Sequence, residues 1–309
     1  MTATRWHVVF SCASNQHMTI GTRVLVAVLA GLGIWYALKW FLLEREKVAL
    51  GERIPHAPDV VLGFITNFFD TLGIGSFAPT TALFKLSRRM PDEQIPGTLN
   101  AGHALPTLAE GLIFVAAVTV DLTTLVSMIA AAAGGAWLGA GTVSRLPRRT
   151  IQVAMGAALL IASLLFVATN LRLIPGGGHA TGLSGGPLAL AVAVNFVLGG
   201  LMTLGIGLYA PCLILVGLLG MNPLAAFPIM MGSCAFVTPI GGVRFIRSGR
   251  YNAPAALGLA IGGIPGVLIA AYVVKSLPIV WLRWLIVIVV LYAAALMLFS
   301  ARRPLSRLR

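Results

Sequence analysis

A chain of 309 residues that is 58% hydrophobic and only 10% charged, with a mean hydropathy of +0.93, lies far from soluble domains, which run near ~45–50% apolar and ~25% charged. Its formal net charge of +13 would suggest nucleic acid in a soluble protein, but the Lys and Arg sit in short clusters between apolar runs and read as topogenic charge, which excludes a nucleic-acid binder. Three cysteines, Cys12, Cys212 and Cys234, form neither a disulfide framework nor a Cys/His metal spacing, so no metal and no cofactor is expected.

The first 17 residues hold an apolar stretch too short for a signal peptide and no A-x-A site, and Met18 is an alternative start. Gly21 to Leu43 then reads as an uncleaved first span, near the ~20 residues a bilayer requires. Asp59 to Leu86 is a longer unit interrupted by "DTLGIGSFAPTTALF". Clean apolar runs follow at Ile95–Val120, Thr123–Val143 and Ile151–Leu171, and then the Gly-rich loop "IPGGGHATGLSGG". Pro187 to Leu219 is the second interrupted unit, carrying "MTLGIGLYAPCLILV". Ala225–Ile246, Ala253–Val274 and Ile279–Ser300 complete the chain.

The two interrupted phrases align. Leu72-Gly73-Ile74-Gly75 falls on Leu204-Gly205-Ile206-Gly207, Ala78-Pro79 on Ala210-Pro211, and Pro96 on Pro228, all at an offset of 132, while Leu146-Pro147 matches Leu277-Pro278 at 131. The sequence therefore predicts an all-α polytopic membrane protein with these units: an N-terminal arm (1–57), a first repeat (58–171), a linker (172–186), and a second repeat with a basic tail (187–309). If each interrupted unit dips into the membrane and returns, 17 of the 22 Lys and Arg lie inside; if both units cross, the split is 12 against 10. The positive-inside rule favours dipping. Three true spans per repeat then invert the second half relative to the first, with the N-terminus outside and the C-terminus cytoplasmic, as in many secondary transporters. Arms of about 14 residues at ~1.5 Å per residue bring both "LGIG" tips near the midplane.

Exposed backbone at that depth is tolerated only where it is covered by protein or lines a wet cavity. Gly73, Gly75, Gly205 and Gly207 would let backbone approach a ligand. The half-helices begun by Pro79 and Pro211 would present free amides and a positive dipole end to an anion. By contrast, Gly135, Gly139, Gly258, Gly262 and Gly266 read as helix-packing positions. Asn100, His103, Thr107 and Glu110, spaced 3, 4 and 3 apart, are expected to form one polar stripe, with Pro106 freeing the carbonyl of Gly102. The second half offers Ser233, Cys234 and Thr238 at a similar place. Asp70, His103 and Glu110 are candidate proton carriers. Thr71 pairs with Thr203 and Thr80 with Cys212 across the repeat, Ser76 stands at the first tip, and Asn67 and Asn195 lie on the entering arms. Each also has a plainer role, as a capping or neighbour-bonded polar group.

The chain resembles the sulfite exporter TauE/SafE family, which is grouped with sulfonate-uptake permeases. The resemblance spans Pro58 to Ser300 and is most specific in "RFIRSGRYNAPAALGLAIGGIPGVLIAAYVVKSLP", echoed by "LGAGTVSRLPRRTIQVAMGAALL" in the first half. The tips read LGIG where the family more commonly has GxGGG. The resemblance implies a multi-pass permease of the bacterial cytoplasmic membrane that moves sulfite or another sulfur oxyanion or organosulfonate. Its partners would be that small anion and the lipid bilayer, and a homo-oligomer is compatible with it. An anion channel of the same architecture is the alternative. An intramembrane enzyme ranks lower, because no H-E-x-x-H or G-x-S-x-G occurs, and the absence of G-x-x-x-x-G-K-[ST] leaves no nucleotide loop in this chain.

Overall fold

A computed structural model describes residues 18–49, 54–73, 75–87, 89–91, 94–142, 178–203 and 207–274, with isolated helical positions between 153 and 171 and between 284 and 299. Among the described residues the secondary structure is helical, apart from one isolated backbone bridge between Ala180 and Met221. The expected spans Ile151–Leu171 and Ile279–Ser300 lie largely outside the described residues, as does Gly205.

Ten α-helices are described: α1 (Ile20–Ala49), α2 (Ala57–Thr71), α3 (Phe77–Ser87), α4 (Ile95–Gly102), α5 (Ala104–Ala117), α6 (Leu122–Thr142), α7 (Gly185–Met202), α8 (Tyr209–Leu218), α9 (Ala226–Ser248) and α10 (Ala253–Val274). By length and composition five are apolar enough to cross a membrane: α1, α6, α7, α9 with the 3-10 turn before it, and α10. Helix ends follow local chemistry. Thr19 accepts the Thr22 amide at 3.2 Å to start α1, and Pro58 stands in the first turn of α2, where its missing amide hydrogen costs nothing. Gly249, at φ 65°, closes α9 with backbone bonds from Gly249 to Ile246 and from Arg250 to Phe245.

The run Ile95–Val120, expected as one clean span, is two helices that meet at His103. Pro106 has no amide to offer the Gly102 carbonyl, and the helix interrupts there before restarting at Ala104. The second entering arm, α7, is 18 residues long, against the roughly 14 expected for an arm.

Both interrupted units double back. The guanidinium of Arg89, two residues past α3, donates to Oδ1 of Asp59 in the first turn of α2 at 2.6 Å, so the outer ends of α2 and α3 lie side by side. In the second unit Ala180, before α7, bridges Met221, after α8, and the Asn222 amide donates to the Ala180 carbonyl at 2.8 Å.

The halves pack by exchange, α2 against α10 and α7 against α6. The glycine rows make this approach: a Cβ at Gly262 would collide with the Val60 carbonyl, at Gly266 with that of Phe64, at Gly135 with that of Phe196, and at Gly139 with Gly200. These glycines serve backbone contact between helices. In the centre α5 packs on α9, and Thr107 and Thr238 share a hydrogen bond of 2.7 Å. α1 lies against α5 and α9, anchored by Tyr36 OH donating to the Ala101 carbonyl at 3.0 Å, with Ile20, Val24, Trp35 and Phe41 left exposed.

Candidate functional site

The first helix break turns through Leu72 to Ser76. Gly73 and Gly75 have φ of 92° and 86°, a conformation that a Cβ would strain. Asp70, the last polar residue but one of α2, reaches over the break, and its Oδ1 accepts the Ser76 amide at 2.8 Å. That amide belongs to the start of α3, where an unfilled helix N-terminus would attract an anion. The chain's own carboxylate fills it.

Around this break stands a chain of side-chain bonds. Asn67 Nδ2 donates to the Gly63 carbonyl at 2.7 Å, which leaves Asn67 Oδ1 to accept from His103 Nδ1 at 3.0 Å. The imidazole Nε2 lies 3.2 Å from Thr80 Oγ1, and Thr80 Oγ1 is also 2.7 Å from the Ser76 carbonyl. The ring of Phe77 covers the imidazole, with centroids 5.6 Å apart. Asn67, Thr80 and His103 are all fully buried.

Glu110 joins the two breaks. Thr71 Oγ1, at the end of α2, donates to its Oε1 at 2.9 Å, and Tyr209 OH, at the start of α8, donates to its Oε2 at 2.6 Å. Tyr209 is buried, and Gly75 lies against its Cβ. Asp70 is within electrostatic range of both Glu110 and Tyr209.

On the second side, Thr203 Oγ1 donates to the Gly200 carbonyl at 2.7 Å, and Gly207 has open space about its Cα. Cys234 Sγ donates to Met202 Sδ at 3.4 Å, and Cys212 is buried nearby. Asn195 Nδ2 donates to the Met128 carbonyl at 2.7 Å and to Ser233 Oγ at 3.0 Å. Among the described residues, three buried acceptor oxygens have no hydrogen-bond partner: Asp70 Oδ2, Asn100 Oδ1 and Asn195 Oδ1.

The four-residue stripe of α4 and α5 splits into two rows. His103 and Glu110 face the first interrupted unit, whereas Asn100 lies against Gly241 and Thr107 against Thr238 on α9. Residues 7 apart, two full turns, stay on one line, while residues 3 or 4 apart diverge enough to meet different neighbours. Tyr209 was passed over in the sequence. Its only signal is a hydroxyl where the aligned first-half position holds Phe77. Among the described residues, no group of three or more His, Cys, Asp or Glu is placed to hold a metal ion.

The arrangement suits small polar ligands and proton exchange: acceptors, hydroxyls and two carboxylates enclosed by apolar helices, at the place where two helix breaks meet. The model of the sulfite exporter TauE/SafE family matches residues 9–166 and 188–309. The chain belongs to that family. Membership places it among multi-pass membrane transporters of sulfur anions rather than among enzymes. The interval between the two matched segments falls on the Gly-rich linker. No match was found among curated proteins or among solved structures.

Proposed function

We propose that this TauE/SafE member is a secondary permease of the bacterial cytoplasmic membrane. It moves sulfite, or another sulfur oxyanion or organosulfonate, by alternating access at a midplane site between two re-entrant tips. The units behind this are the arm 1–57, the repeat 58–171, the linker 172–186 and the inverted repeat 187–309, with the N-terminus outside and the C-terminus in the cytoplasm. The carrying observation is that both interrupted units double back, through Asp59–Arg89 in one and Ala180–Met221 in the other, while Glu110 bonds to residues of both breaks. Reciprocal packing of α2 on α10 and α7 on α6 fits two repeats related by an axis in the membrane plane.

Asn67, Thr71, Ser76, Thr80 and His103 form the substrate wall of the first repeat, and Asn195, Thr203, Gly207, Cys212, Ser233 and Cys234 that of the second. Asp70, His103 and Glu110 are the candidates for the coupling proton. Among the described residues, the groups that Asp70 and Glu110 meet include no base, so an entering anion meets like charge unless protons accompany it.

The test is flux in liposomes containing the purified protein. Saturable uptake of sulfite, thiosulfate or a small sulfonate, accelerated by the same anion on the far side, is the expected result. Flux that does not saturate and shows no counter-flow would identify a channel, and no movement of any of the three would defeat the assignment.

A further inference from the structure

Two hydroxyl donors, one from each helix break, already hold a carboxylate. Thr71 from the first break and Tyr209 from the second converge on the two oxygens of Glu110, at 2.9 and 2.6 Å. A carboxylate and a sulfur oxyanion present the same face to such donors, since both are acceptor-only groups with neighbouring oxygens that share a negative charge. Asp70 repeats the theme at the Ser76 amide.

We infer that the Thr71 and Tyr209 hydroxyls are the oxyanion-binding donors of the transport site, and that Glu110 occupies their place between transport events as a tethered stand-in for the anion. The inference rests on the transport function proposed above and names the groups that bind the anion and the event that releases them.

Hydrogen-bond accounting supplies the release. The Thr71 hydroxyl has one hydrogen and two acceptors in reach, Glu110 Oε1 at 2.9 Å and the Asn67 carbonyl at 2.8 Å. Ionised, Glu110 takes hydrogen bonds from both Thr71 and Tyr209. When Glu110 takes up a proton from water, it becomes a neutral acid with a donor of its own and loses the charge-assisted part of both bonds. Both hydroxyls are then free to turn to an incoming oxyanion, which now meets one buried carboxylate fewer. When the proton leaves, the carboxylate reclaims both donors and expels the anion. One proton and one anion therefore travel together.

Among the described residues, the titratable groups facing Glu110 from the helices packed on it are Asp70 on α2, Tyr209 on α8 and Cys234 on α9, with Cys212 on α8 close to Cys234. None is a cation that would hold Glu110 ionised while an anion is bound. His103, one break further along, is engaged by Asn67 and Thr80 instead. Asp70 Oδ2 is buried and without a hydrogen-bond partner among the described residues.

The experiment uses the full chain purified into nanodiscs, with sulfite and thiosulfate as probes; thiosulfate keeps its charge from mildly acid to mildly alkaline pH. Calorimetry reads affinity, and a pH dye in weak buffer reads proton uptake on binding. Wild type should bind more tightly as pH falls and take up about one proton per thiosulfate, the linkage expected when binding and protonation are coupled. E110Q should bind at least as tightly as wild type at its most acid, without pH dependence and without proton uptake. Y209F and T71V should each weaken binding about tenfold or more, the loss of one hydrogen bond to a charged group, whereas T71S, which keeps the hydroxyl, should bind as wild type.

Loss of binding in E110Q, persistent proton uptake in E110Q, or wild-type affinity in both Y209F and T71V would overturn the inference. If E110Q does not give a monodisperse protein, the affinities of Y209F and T71V against T71S decide. Wild type that binds neither probe defeats the transport function itself, and this inference with it. Wild type that binds while the variants match it defeats only this inference.

Discussion

A single cysteine at Ser87 and another at His179, each in a chain with Cys12, Cys212 and Cys234 replaced by alanine, test whether the interrupted units return to the side they enter from. The geometry sets the stakes. With 15 and 11 residues, α2 and α3 are ~22 and ~16 Å long at ~1.5 Å per residue. Laid end to end they would exceed a ~30 Å hydrocarbon core and carry Ser87 to the face opposite Ala57. The ion pair between Asp59 and Arg89, 2.6 Å long, instead holds the two outer ends together. In the second unit α7 and α8, ~27 and ~15 Å long by the same rise, are closed at their outer ends by Ala180 and Met221. Ser87 and His179 are both exposed, so each can react. Gly178 is unsuitable because a Cβ there would collide with the Gly220 carbonyl. A membrane-impermeant maleimide applied to intact cells should label H179C at once and S87C only after permeabilisation. Labelling of S87C in intact cells would refute the dipping arrangement and, with it, the inversion of the second repeat.

Three further substitutions probe the supports of the site. Gly262→Ala places a methyl group against the Val60 carbonyl, and overpacking of this kind should cost about 1–3 kcal/mol; a lowered Tm, set against an unchanged one for the lipid-facing I264A, checks the α2–α10 contact. Arg89→Ala leaves Asp59, whose side chain is 4% exposed, without its partner; the expected loss is about 1–3 kcal/mol, below that of a fully buried pair because the Arg89 side chain is 34% exposed, and adding D59N should recover part of it in a double-mutant cycle. Pro106→Ala restores an amide that can reach the Gly102 carbonyl and removes a helix-breaking residue worth about 3 kcal/mol. It should close the break at His103, leave thermal stability equal or higher, and slow sulfite flux. Flux equal to wild type would show that the break does not position His103.

What could be read along the chain was what depends on spacing within one segment. The phrase written twice pointed to the helix breaks, since an early proline marks each and, at the first, Gly73 and Gly75 take positive φ. The same holds for the glycine rows of α6 and α10, whose four-residue spacing puts bare backbone on one line. Periodicity also placed His103 and Glu110 on a buried face, yet it could not say what stands opposite. The partners of Glu110 lie 39 and 99 residues away, and nothing near Thr71 or Tyr209 marks them as a pair. Tyr209 in particular reads as one more aromatic at the start of an apolar helix, and alignment with Phe77 reinforces that impression. Arg89 was counted only as topogenic charge, although its guanidinium closes the first interrupted unit on Asp59. The charge count and the ion pair are independent of one another, because one sums the whole chain and the other joins two atoms. Both favour the same path through the membrane. Half-helix amides alone would make the breaks look like vacant anion sites; the side chains change that picture, since Asp70 sits on the amide at the first break and Glu110 on one hydroxyl from each. In the transport cycle proposed above, an anion competes with the protein's own carboxylates for its place, so that protons, more than glycines, decide when the site is open.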